Sequence, residues 1–352
     1  MTNKRVTLKD ISKKLNVSLS TVHKALYGKK GISDDTRKKI LQTADEMDYK
    51  VNVIASTLKR KAIRIAVVLP EAIGEERYFY KDIWNGIDGA SEALKDFNIE
   101  IINIPFIGTD YKLQKQVLEN VYDKYSSSIN GLLTVPWNLS ELNYIIDKFT
   151  DADVPVVTIN TDAPGSKRIA CIAPPSKKIG MLAAELMSKM ITAPGKVIIL
   201  SGNRDTTIHT KIVEGFIKTI SSELPLIDII QIIDGNSNNT YETLKGFFTK
   251  FDDIKGLYSN NSRNTLLIGN LITEMNLKNK FKVIGTDIFD ESIKFLNDDI
   301  IQAIIYQNPY MQAYDGINFL FNYITKNEVA IPREFNKISI VLKSNLDFYV
   351  RH

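Results

Sequence analysis

Side chains that commonly carry catalysis or hold metals are scarce in this sequence of 352 residues. It contains one cysteine, Cys171, and three histidines, His23, His209 and His352. A disulfide within the chain and a multi-thiolate metal site are therefore excluded, and a structural zinc is disfavoured. The sequence also lacks a Gly-x-Ser-x-Gly elbow, a glycine-rich phosphate loop and a matched Cys/His pair. These patterns argue against an enzyme and predict neither a cofactor nor a metal.

Charged side chains are unevenly distributed along the chain. Residues 1–62 carry 15 lysines and arginines against 6 aspartates and glutamates, a net charge of +9. The remainder has 30 basic and 35 acidic residues, a net charge of −5. A small basic segment on a larger acidic body predicts that the segment meets a polyanion while the body has another role. The alternative is a solvated basic tail without a partner.

The sequence shows no segment that suits a membrane. The aliphatic run Ile65–Leu69 is far shorter than the about 20 apolar residues that a helix needs to cross a bilayer. Residues 1–14 are largely polar and lack the apolar core of a secretion signal. We therefore expect a cytoplasmic protein that makes no membrane contact.

Hydrophobic periodicity in the basic segment predicts three short helices that share one core. The first follows Thr7, and Asp10 at its third position can accept hydrogen bonds from free backbone N–H groups. The second starts after Ser18, a favourable N-cap, and ends near Gly28, while the third follows Ser33. Two helices joined by a tight turn, the second starting with small polar residues, describe a helix-turn-helix. In that motif the second helix enters the DNA major groove.

This helix-turn-helix segment resembles a known family. The run Val6–Leu26, then Gly31–Ser33 and the pair Thr36 and Arg37, is similar to the DNA-binding domain of the lactose repressor (LacI) family of bacterial transcription regulators. The similarity continues to Leu58. It implies a homodimer that binds a double-stranded DNA operator, in the cytoplasm and associated with the nucleoid.

The resemblance assigns candidate DNA contacts residue by residue. Base-facing positions match Leu19, Ser20 and Lys24, with His23 beside them. Phosphate-contacting positions match Thr7, Ser18, Thr21 and Lys30. Family members usually have arginine at position 24, whose planar fork reads guanine, whereas a lysine is a point charge. We therefore expect softer base discrimination there, and plain phosphate neutralisation is the alternative role for this lysine.

Residues 50–62 are predicted to form a hinge helix or linker. The stretch Val53–Lys59 is too short to be a stable helix alone. In the family, paired hinge helices of a dimer become ordered on the operator, and a leucine from each enters the minor groove. The matching positions here are Ala55 and Leu58, the second being that of the leucine. A flexible linker is the alternative.

From Ile63 the pattern changes to strands that alternate with amphipathic helices. Apolar runs such as Ile65–Leu69, Gly131–Val135 and Lys196–Leu200 predict parallel strands with helices on both faces of the sheets. The body has about 290 residues, which is more than one sheet with its covering helices usually contains. We therefore expect two lobes with a cleft between them.

Three segments of this body are similar to the periplasmic sugar-binding-protein fold of the family's regulatory domain, ribose-type members above all: Pro155–Pro164, Gly285–Asp287 and Gln307–Pro309. The predicted fold class is thus a small all-α helix-turn-helix head plus an α/β periplasmic-binding-protein-like body of two lobes with parallel sheets. The predicted domains are a head at 1–49, the hinge at 50–62 and a ligand-binding body at 63–352. Within the body, lobe 1 is placed at about 63–162 and 292–325, and lobe 2 at about 163–291 and 326–352.

A sugar site needs aromatic faces for the apolar side of the ring and polar side chains for paired hydrogen bonds to hydroxyls. The resemblance places nine residues in such a site, and its support is weaker for Trp137, Asp162, His209 and Asn260 than for the others. The nine residues are Phe79, Tyr80, Trp137, Asn160, Asp162, His209, Asn260, Asp287 and Gln307. Each has a structural alternative, since the aromatics could be core, the Asn and Asp residues could cap turns or helices, and His209 could be a loop histidine.

One departure from the family bears on the ligand's charge. An arginine usually stands three residues before the pair Gly215 and Phe216, where this sequence has Ile212. Without that cation the site suits a neutral sugar better than a carboxylated or phosphorylated one, unless a nearby cation substitutes, the candidates being Lys211, Arg204 and Arg168. The predicted function is therefore a DNA-binding repressor controlled by a neutral sugar in the cleft. The alternative is a transport-type sugar-binding protein, against which the basic head and the polar N-terminal residues argue.

Overall fold

The computed structural model describes residues 6–26, 31–47, 49, 62–108, 110–137, 139–202, 207–233, 237–326 and 334–350. Residues of the head form one compact unit, and the body that starts at Ile63 forms another. Three predicted DNA contacts, Lys30, Ala55 and Leu58, lie outside the described residues. The same holds for hinge residues 50–61.

The head consists of three helices around a small apolar core. These helices are α1 at Leu8–Leu15, α2 at Leu19–Leu26 and α3 at Asp34–Glu46. The core side chains are fully or almost fully buried: Ile11, Val22, Ala25, Ile40 and Ala44. The predicted three-helix arrangement is thus present, and the predicted cap Ser33 accepts the backbone N–H of Thr36 at 3.3 Å.

The first part of the body alternates strands and helices. The successive elements are β1 Ile63–Pro70, α4 Arg77–Leu94, β2 Ile99–Phe106, α5 Tyr111–Tyr125, β3 Gly131–Thr134, α6 Leu139–Asp151, β4 Val156–Ile159 and β5 Ala170–Ala173. The central strands are buried along their whole length, because helices cover both faces of the sheet.

The second part repeats the alternation. Its elements are α7 Ser176–Met190, β6 Gly195–Ser201, α8 Thr207–Glu223, β7 Ile227–Ile233, α9 Ser237–Lys250, β8 Ile254–Ser259, α10 Ser262–Glu274, β9 Lys282–Thr286, α11 Asp290–Asn297 and β10 Ala303–Tyr306. Helix α12 at Pro309–Lys326 and the short strands β11 at Glu334–Phe335 and β12 at Ser339–Val341 follow.

The strands form two sheets with the same internal order. The first sheet runs β11-β5-β4-β3-β1-β2 and the second runs β12-β10-β9-β8-β6-β7. The pairs are parallel except β10 with β12, which is antiparallel. Each sheet with its helices forms one lobe, so the two-lobed α/β body is present as predicted. Of the described helices, none is long and apolar enough to cross a membrane.

Strand pairing corrects the predicted lobe boundaries. β5 lies beyond the predicted boundary at residue 162 but pairs with β4 in the first sheet, and β11 then pairs with β5. β10, assigned from the sequence to lobe 1, pairs with β9 in the second sheet. The chain leaves the first lobe only after β5 because that strand completes the hydrogen bonds of β4. The chain passes between the sheets at 174–175, 307–308 and 336–338.

Candidate functional site

Helix α2 of the head exposes the side chains that were predicted to face DNA bases. Leu19 is 46% exposed and Ser20 is also exposed, while Val22 on the opposite face is buried. Lys24 lies one turn after Ser20, on the same face of the helix, and is partly exposed. His23 is partly exposed as well. The outward face of α2 therefore carries the chemistry that a recognition helix needs.

The hydroxyl groups predicted to contact phosphates also cap the helices. The backbone N–H and the hydroxyl of Thr7 both donate to the Asp10 carboxylate, at 2.8 and 2.6 Å. The Ser18 hydroxyl accepts the backbone N–H of Thr21 at 3.1 Å, and the two hydroxyl oxygens are 2.8 Å apart. The single hydrogen of the Thr7 hydroxyl is thus donated to Asp10. In the pair of Ser18 and Thr21 one hydroxyl donates to the other, which leaves one hydroxyl hydrogen for a phosphate contact.

A cavity of about 390 Å³ lies in the body where strands of both sheets end. Open parallel sheets bind ligands at the carboxyl ends of their strands. Eight of the predicted ligand residues line this cavity: Phe79, Tyr80, Trp137, Asn160, His209, Asn260, Asp287 and Gln307. The structure thus brings together residues that are up to 228 positions apart in the sequence.

Asp287 is the buried carboxylate of the second lobe and is only 1% exposed. It follows β9 and accepts three hydrogen bonds, from the backbone N–H of Gln307 at 3.2 Å, from its side-chain amide at 2.9 Å, and from the Ser262 hydroxyl at 3.2 Å. Burial raises the pKa of Asp287 to about 7, although these bonds pull it down. With a pKa of about 7, the Asp287 carboxyl is partly protonated at pH 7 and can therefore either accept or donate a hydrogen bond.

The first lobe contributes an aromatic wall. The rings of Phe79 and Tyr80 meet edge to face with centroids 5.3 Å apart, and Tyr80 lies 6.3 Å from the ring of Trp137. Aromatic faces of this kind suit the apolar side of a sugar ring. The Tyr80 side chain is therefore both core and cavity wall, which unites the two roles considered from the sequence, whereas Phe79 is a partly buried residue of the wall.

Several polar atoms of the cavity wall have no hydrogen-bond partner among the described residues. They are the Tyr80 hydroxyl, Trp137 Nε1, Asn160 Oδ1, His209 Nδ1 and Gln307 Oε1. Buried polar groups are normally paired, and leaving one unpaired costs about 1–3 kcal/mol. A polar ligand with both donors and acceptors would satisfy them.

His209 and Asn260 lie beside each other in the second lobe. Burial and the nearby charge of Arg263 lower the pKa of His209 to about 4, so its ring is neutral at pH 7. Asn260 accepts the backbone N–H of Gly202 at 2.9 Å and donates to the His209 carbonyl at 3.4 Å. Asn260 therefore also shapes the loop, in addition to lining the cavity.

Asp162 does not line the cavity, contrary to the prediction. Its carboxylate forms an ion pair with Arg168, with 2.5 Å between Nε and Oδ1, and both side chains are mostly buried. The salt bridge turns Asp162 away from the ligand site. It also removes Arg168 from the substitute cations considered above. Lys211 is exposed outside the cavity, and Ile212 is buried in the core of the second lobe.

Among the described residues, the cation that lines the cavity is Arg263, which the sequence reasoning missed. Arg204, another substitute cation considered above, lies outside the described residues. Arg263 lies in the first turn of α10, and its Nη1 is 3.5 Å from Oε2 of Glu75 in the first lobe. The pair joins the two lobes across the cleft. The sequence offers one signal, the polar run Asn260–Arg263 at the end of β8, where parallel strands place binding residues. Other cavity residues that were missed include Glu76, Asp110, Tyr111, Asn261 and Ser262.

Metal binding has no support in the described part of the chain, where no group of three or more His, Cys, Asp and Glu side chains could hold an ion. Cys171 is buried in β5.

Comparison with protein families matches residues 65–328 to the periplasmic binding protein domain family, which is most of this chain. The chain belongs to this family. Its segment 7–52 matches the family described as bacterial regulatory proteins, lacI family. The resemblance and the fold class predicted from the sequence are thereby confirmed.

A curated relative of this chain is catabolite control protein A of Streptococcus mutans, 28% identical over 162 residues. The alignment covers 46% of this chain and 45% of that protein. The chain thus spans about half the length of the first curated relatives that it matches.

Two solved structures share the fold of the body. One is an ABC transporter solute binding protein from Burkholderia graminis in complex with D-arabinose, with a TM-score of 0.74 and 19% identity, covering 83% of this chain and 99% of that one. The other is a putative LacI transcriptional regulator from Bacteroides fragilis, with a TM-score of 0.74 and 18% identity, covering 82% and 100%. At these identities the likeness concerns the fold alone.

Proposed function

We propose that this chain is a DNA-binding transcriptional repressor whose operator affinity is controlled by a small sugar in the interlobe cavity. It acts as a homodimer in the bacterial cytoplasm, bound to the nucleoid through its operators. The observation that carries the proposal is the presence in one chain of two surfaces. One is the outward face of α2, and the other is a polar and aromatic cavity.

The head supports sequence-specific DNA binding. Leu19, Ser20 and Lys24 lie on the face of α2 that enters the major groove, and His23 flanks them. Thr7, Ser18 and Thr21 hold their hydroxyls at the starts of α1 and α2, where backbone N–H groups favour phosphates. Curated relatives carry names of transcription regulators and repressors, which agrees with this role and does not favour a transport protein.

The cavity supports a sugar as the effector. Asp287, Asn160 and Gln307 provide acceptors and donors at the ends of three strands, and the wall of Phe79, Tyr80 and Trp137 provides aromatic faces. His209 and Asn260 complete the wall on the side of the second lobe. Since Glu75 already balances the charge of Arg263, we infer that the sugar carries no carboxylate or phosphate.

Operator binding with and without sugars tests the proposal. Selection from a random DNA duplex library would define the operator for the whole chain, and its affinity would then be measured while pentoses and hexoses are added. We expect at least one sugar to change the affinity. A chain that selects no DNA sequence, or whose DNA complex ignores every sugar, would contradict the proposed function.

Cavity variants connect the response to the site. Asp287→Ala and Asn160→Ala should each weaken sugar binding by about 1–3 kcal/mol, because a ligand hydroxyl loses its partner. Operator binding by the ligand-free variants should persist. Asn270→Ala, at an exposed position of α10, is the matched control and should respond as the wild type does.

A further inference from the structure

The charges around the cavity are not balanced. Among the described residues that line it, four carry a carboxyl group, Glu75, Glu76, Asp110 and Asp287, and one is a cation, Arg263. His209 adds no charge at pH 7, because its pKa is lowered to about 4. Asp287 is only partly ionised at pH 7, because its pKa is raised to about 7. The other three carboxyl groups still outnumber the cation in the described wall of the cavity, which repels anions and attracts cations.

Three of the four carboxyl groups already have polar partners. Glu75 forms the interlobe ion pair with Arg263, and Asp287 accepts the bonds from Gln307 and Ser262. Asp110 caps α5, since its Oδ1 accepts the backbone N–H of Lys112 at 2.8 Å, and it is exposed at the rim.

Glu76 differs from these three groups. Within the part of the chain that the structure describes, its carboxylate has no hydrogen bond and no ion pair, although the side chain is partly buried in the cavity wall. Burial raises the pKa of Glu76, the nearby positive charge of Arg263 lowers it, and the charge of Glu75 adds to the increase.

Glu76 immediately precedes α4, and Tyr80 lies four residues after it. This spacing places the two side chains on the same face of the helix. Tyr80 is 1% exposed, and its hydroxyl has no partner among the described residues. Burial and the charge of Glu76 raise the pKa of Tyr80 above its ordinary value, so its hydroxyl stays protonated and available as an acceptor.

The aromatic wall also favours a cation as the ligand. Phe79, Tyr80 and Trp137 present ring faces and edges within one cluster, and ring faces attract cations, most strongly after desolvation. A carboxylate, an unpartnered phenol and aromatic rings at one corner together match the chemistry of an ammonium group, which donates three hydrogen bonds and carries a positive charge.

We propose that the effector is an amino sugar, whose protonated amine pairs with Glu76 beside Tyr80 in the interlobe cavity. This inference rests on the proposed function, since it names the class of sugar that the same cavity takes.

Matched sugar pairs test the proposal by calorimetry on the full-length protein. The probes are glucosamine, galactosamine and mannosamine, each compared with its hydroxyl parent and its N-acetyl derivative, which have no positive charge. At least one amino sugar should bind about tenfold or more tightly than both partners, a difference that one ion pair can supply. Glucuronate and glucose 6-phosphate should bind more weakly than glucose.

The variant Glu76→Gln removes the charge and keeps the shape. It should lower affinity for the amino sugar about tenfold while the affinity for the hydroxyl parent changes less than twofold. Glu92→Gln on α4 is the matched control, because Glu92 is exposed and paired with Lys95 away from the cavity. It should bind all probes as the wild type does.

The outcomes separate this inference from the proposed function. If no amino sugar binds more tightly than its hydroxyl parent, or if Glu76→Gln keeps the preference, the amino-sugar proposal is wrong. A neutral sugar that still changes operator binding would then leave the proposed function standing. If no sugar of either kind changes operator binding, the proposed function itself fails.

Discussion

Asn160 and Asp287 occupy equivalent positions in the two sheets. Asn160 follows β4 and Asp287 follows β9, and each of these strands is the third in the order of its sheet. Both residues have a left-handed backbone, with φ of 60° and 64°. The backbone N–H of Asn160 donates to the Ile172 carbonyl and that of Asp287 to the Ile305 carbonyl, both at 3.1 Å. Asn and Asp tolerate this conformation better than most residues. The repeated turn aims one polar side chain from each lobe into the same cavity.

Asp287 should make the stability of the body depend on pH. In the folded state its pKa is raised to about 7 from the ordinary 3.8. Between these values the folded protein holds a proton that the unfolded chain has released, so the free energy of unfolding falls as the pH rises and is level above about pH 7. Asp287→Asn lacks this titration. Its stability relative to the wild type should rise with pH across this window, by on the order of 4 kcal/mol in total.

Urea unfolding of both proteins without ligand, at a series of pH values from 4 to 8, measures this difference. Only the pH dependence is diagnostic, because Asn also alters the hydrogen bonds with Gln307 and Ser262. A difference that stays constant over the series would show that the Asp287 carboxyl titrates normally in the fold.

The sequence predicted the helices and strands better than it predicted which residues contact each other in the fold. Alternating apolar runs located the strands of both sheets, and cap residues such as Ser33 located the helices of the head. The sequence did not predict the strand Ala170–Ala173, because a run of four consecutive apolar residues shows no periodicity. Asp162 was misplaced because the sequence cannot show that Arg168 pairs with it.

Arg263 illustrates the same limit at the cavity. Its role depends on Glu75, which is 188 positions away in the sequence and on the other lobe. Local sequence patterns place each of the two residues near the end of a strand or helix. They do not show that both residues face the same cleft. Only the packing of both sheets joins them. The resemblance supplied Asn160, Asp287 and Gln307 for a related reason, since in each case the strand end alone determines where the side chain points.

Gly180 should be essential for the stability of the second lobe. A Cβ at this position would lie 1.9 Å from the carbonyl oxygen of Ile212 and 2.7 Å from the backbone nitrogen of Phe216. Both neighbours are backbone atoms of α8, so α7 and α8 would have to separate. Gly180→Ala should therefore lower the free energy of unfolding by about 2 kcal/mol or more.

Gly246→Ala is the matched control for this substitution. Gly246 is exposed in α9, and a Cβ there would meet no atom within 4 Å. Alanine in an open helix position should raise stability by about 0.5–1 kcal/mol. Thermal or urea unfolding of the two variants should shift in opposite directions, and a shift in the same direction would mean that the α7–α8 contact is looser than described.

Arg37 should hold the C-terminal end of the recognition helix α2. Its Nη1 donates to the carbonyl oxygens of Lys24 at 3.3 Å and Ala25 at 3.1 Å. A charged donor at the C-terminus of a helix satisfies free carbonyls and favours the helix dipole. Arg37→Met should cost α2 about 1–2 kcal/mol of local stability, seen as faster amide hydrogen exchange in the full-length protein. Lys38→Met, which removes an exposed charge next to it, should leave the exchange of α2 unchanged.

Lys24 should read a base and not merely neutralise a phosphate. It lies on the exposed face of α2 one turn after Ser20, with Leu19 at the start of the same helix. If Lys24 contacts a base, Lys24→Met should relax preference at one operator position by about 1 kcal/mol, while other positions keep theirs. If it contacts a phosphate, the loss should be uniform across sequences, and the slope of log affinity against log salt should become shallower by about 1.

Lys14→Met provides the control, since Lys14 lies on α1 and pairs with Glu46 at 3.8 Å. It removes the same charge away from the exposed face of α2, so it should leave the base preference of the operator intact. Measuring both variants against the selected operator and its single-base changes at two salt concentrations separates the roles. A lysine lacks the two-pronged geometry of arginine, so the preference lost at its position should be smaller than a bidentate guanine contact would give. A Lys24→Met variant with unchanged base preference and a shallower salt slope would make Lys24 a phosphate contact and leave base reading to Leu19 and Ser20.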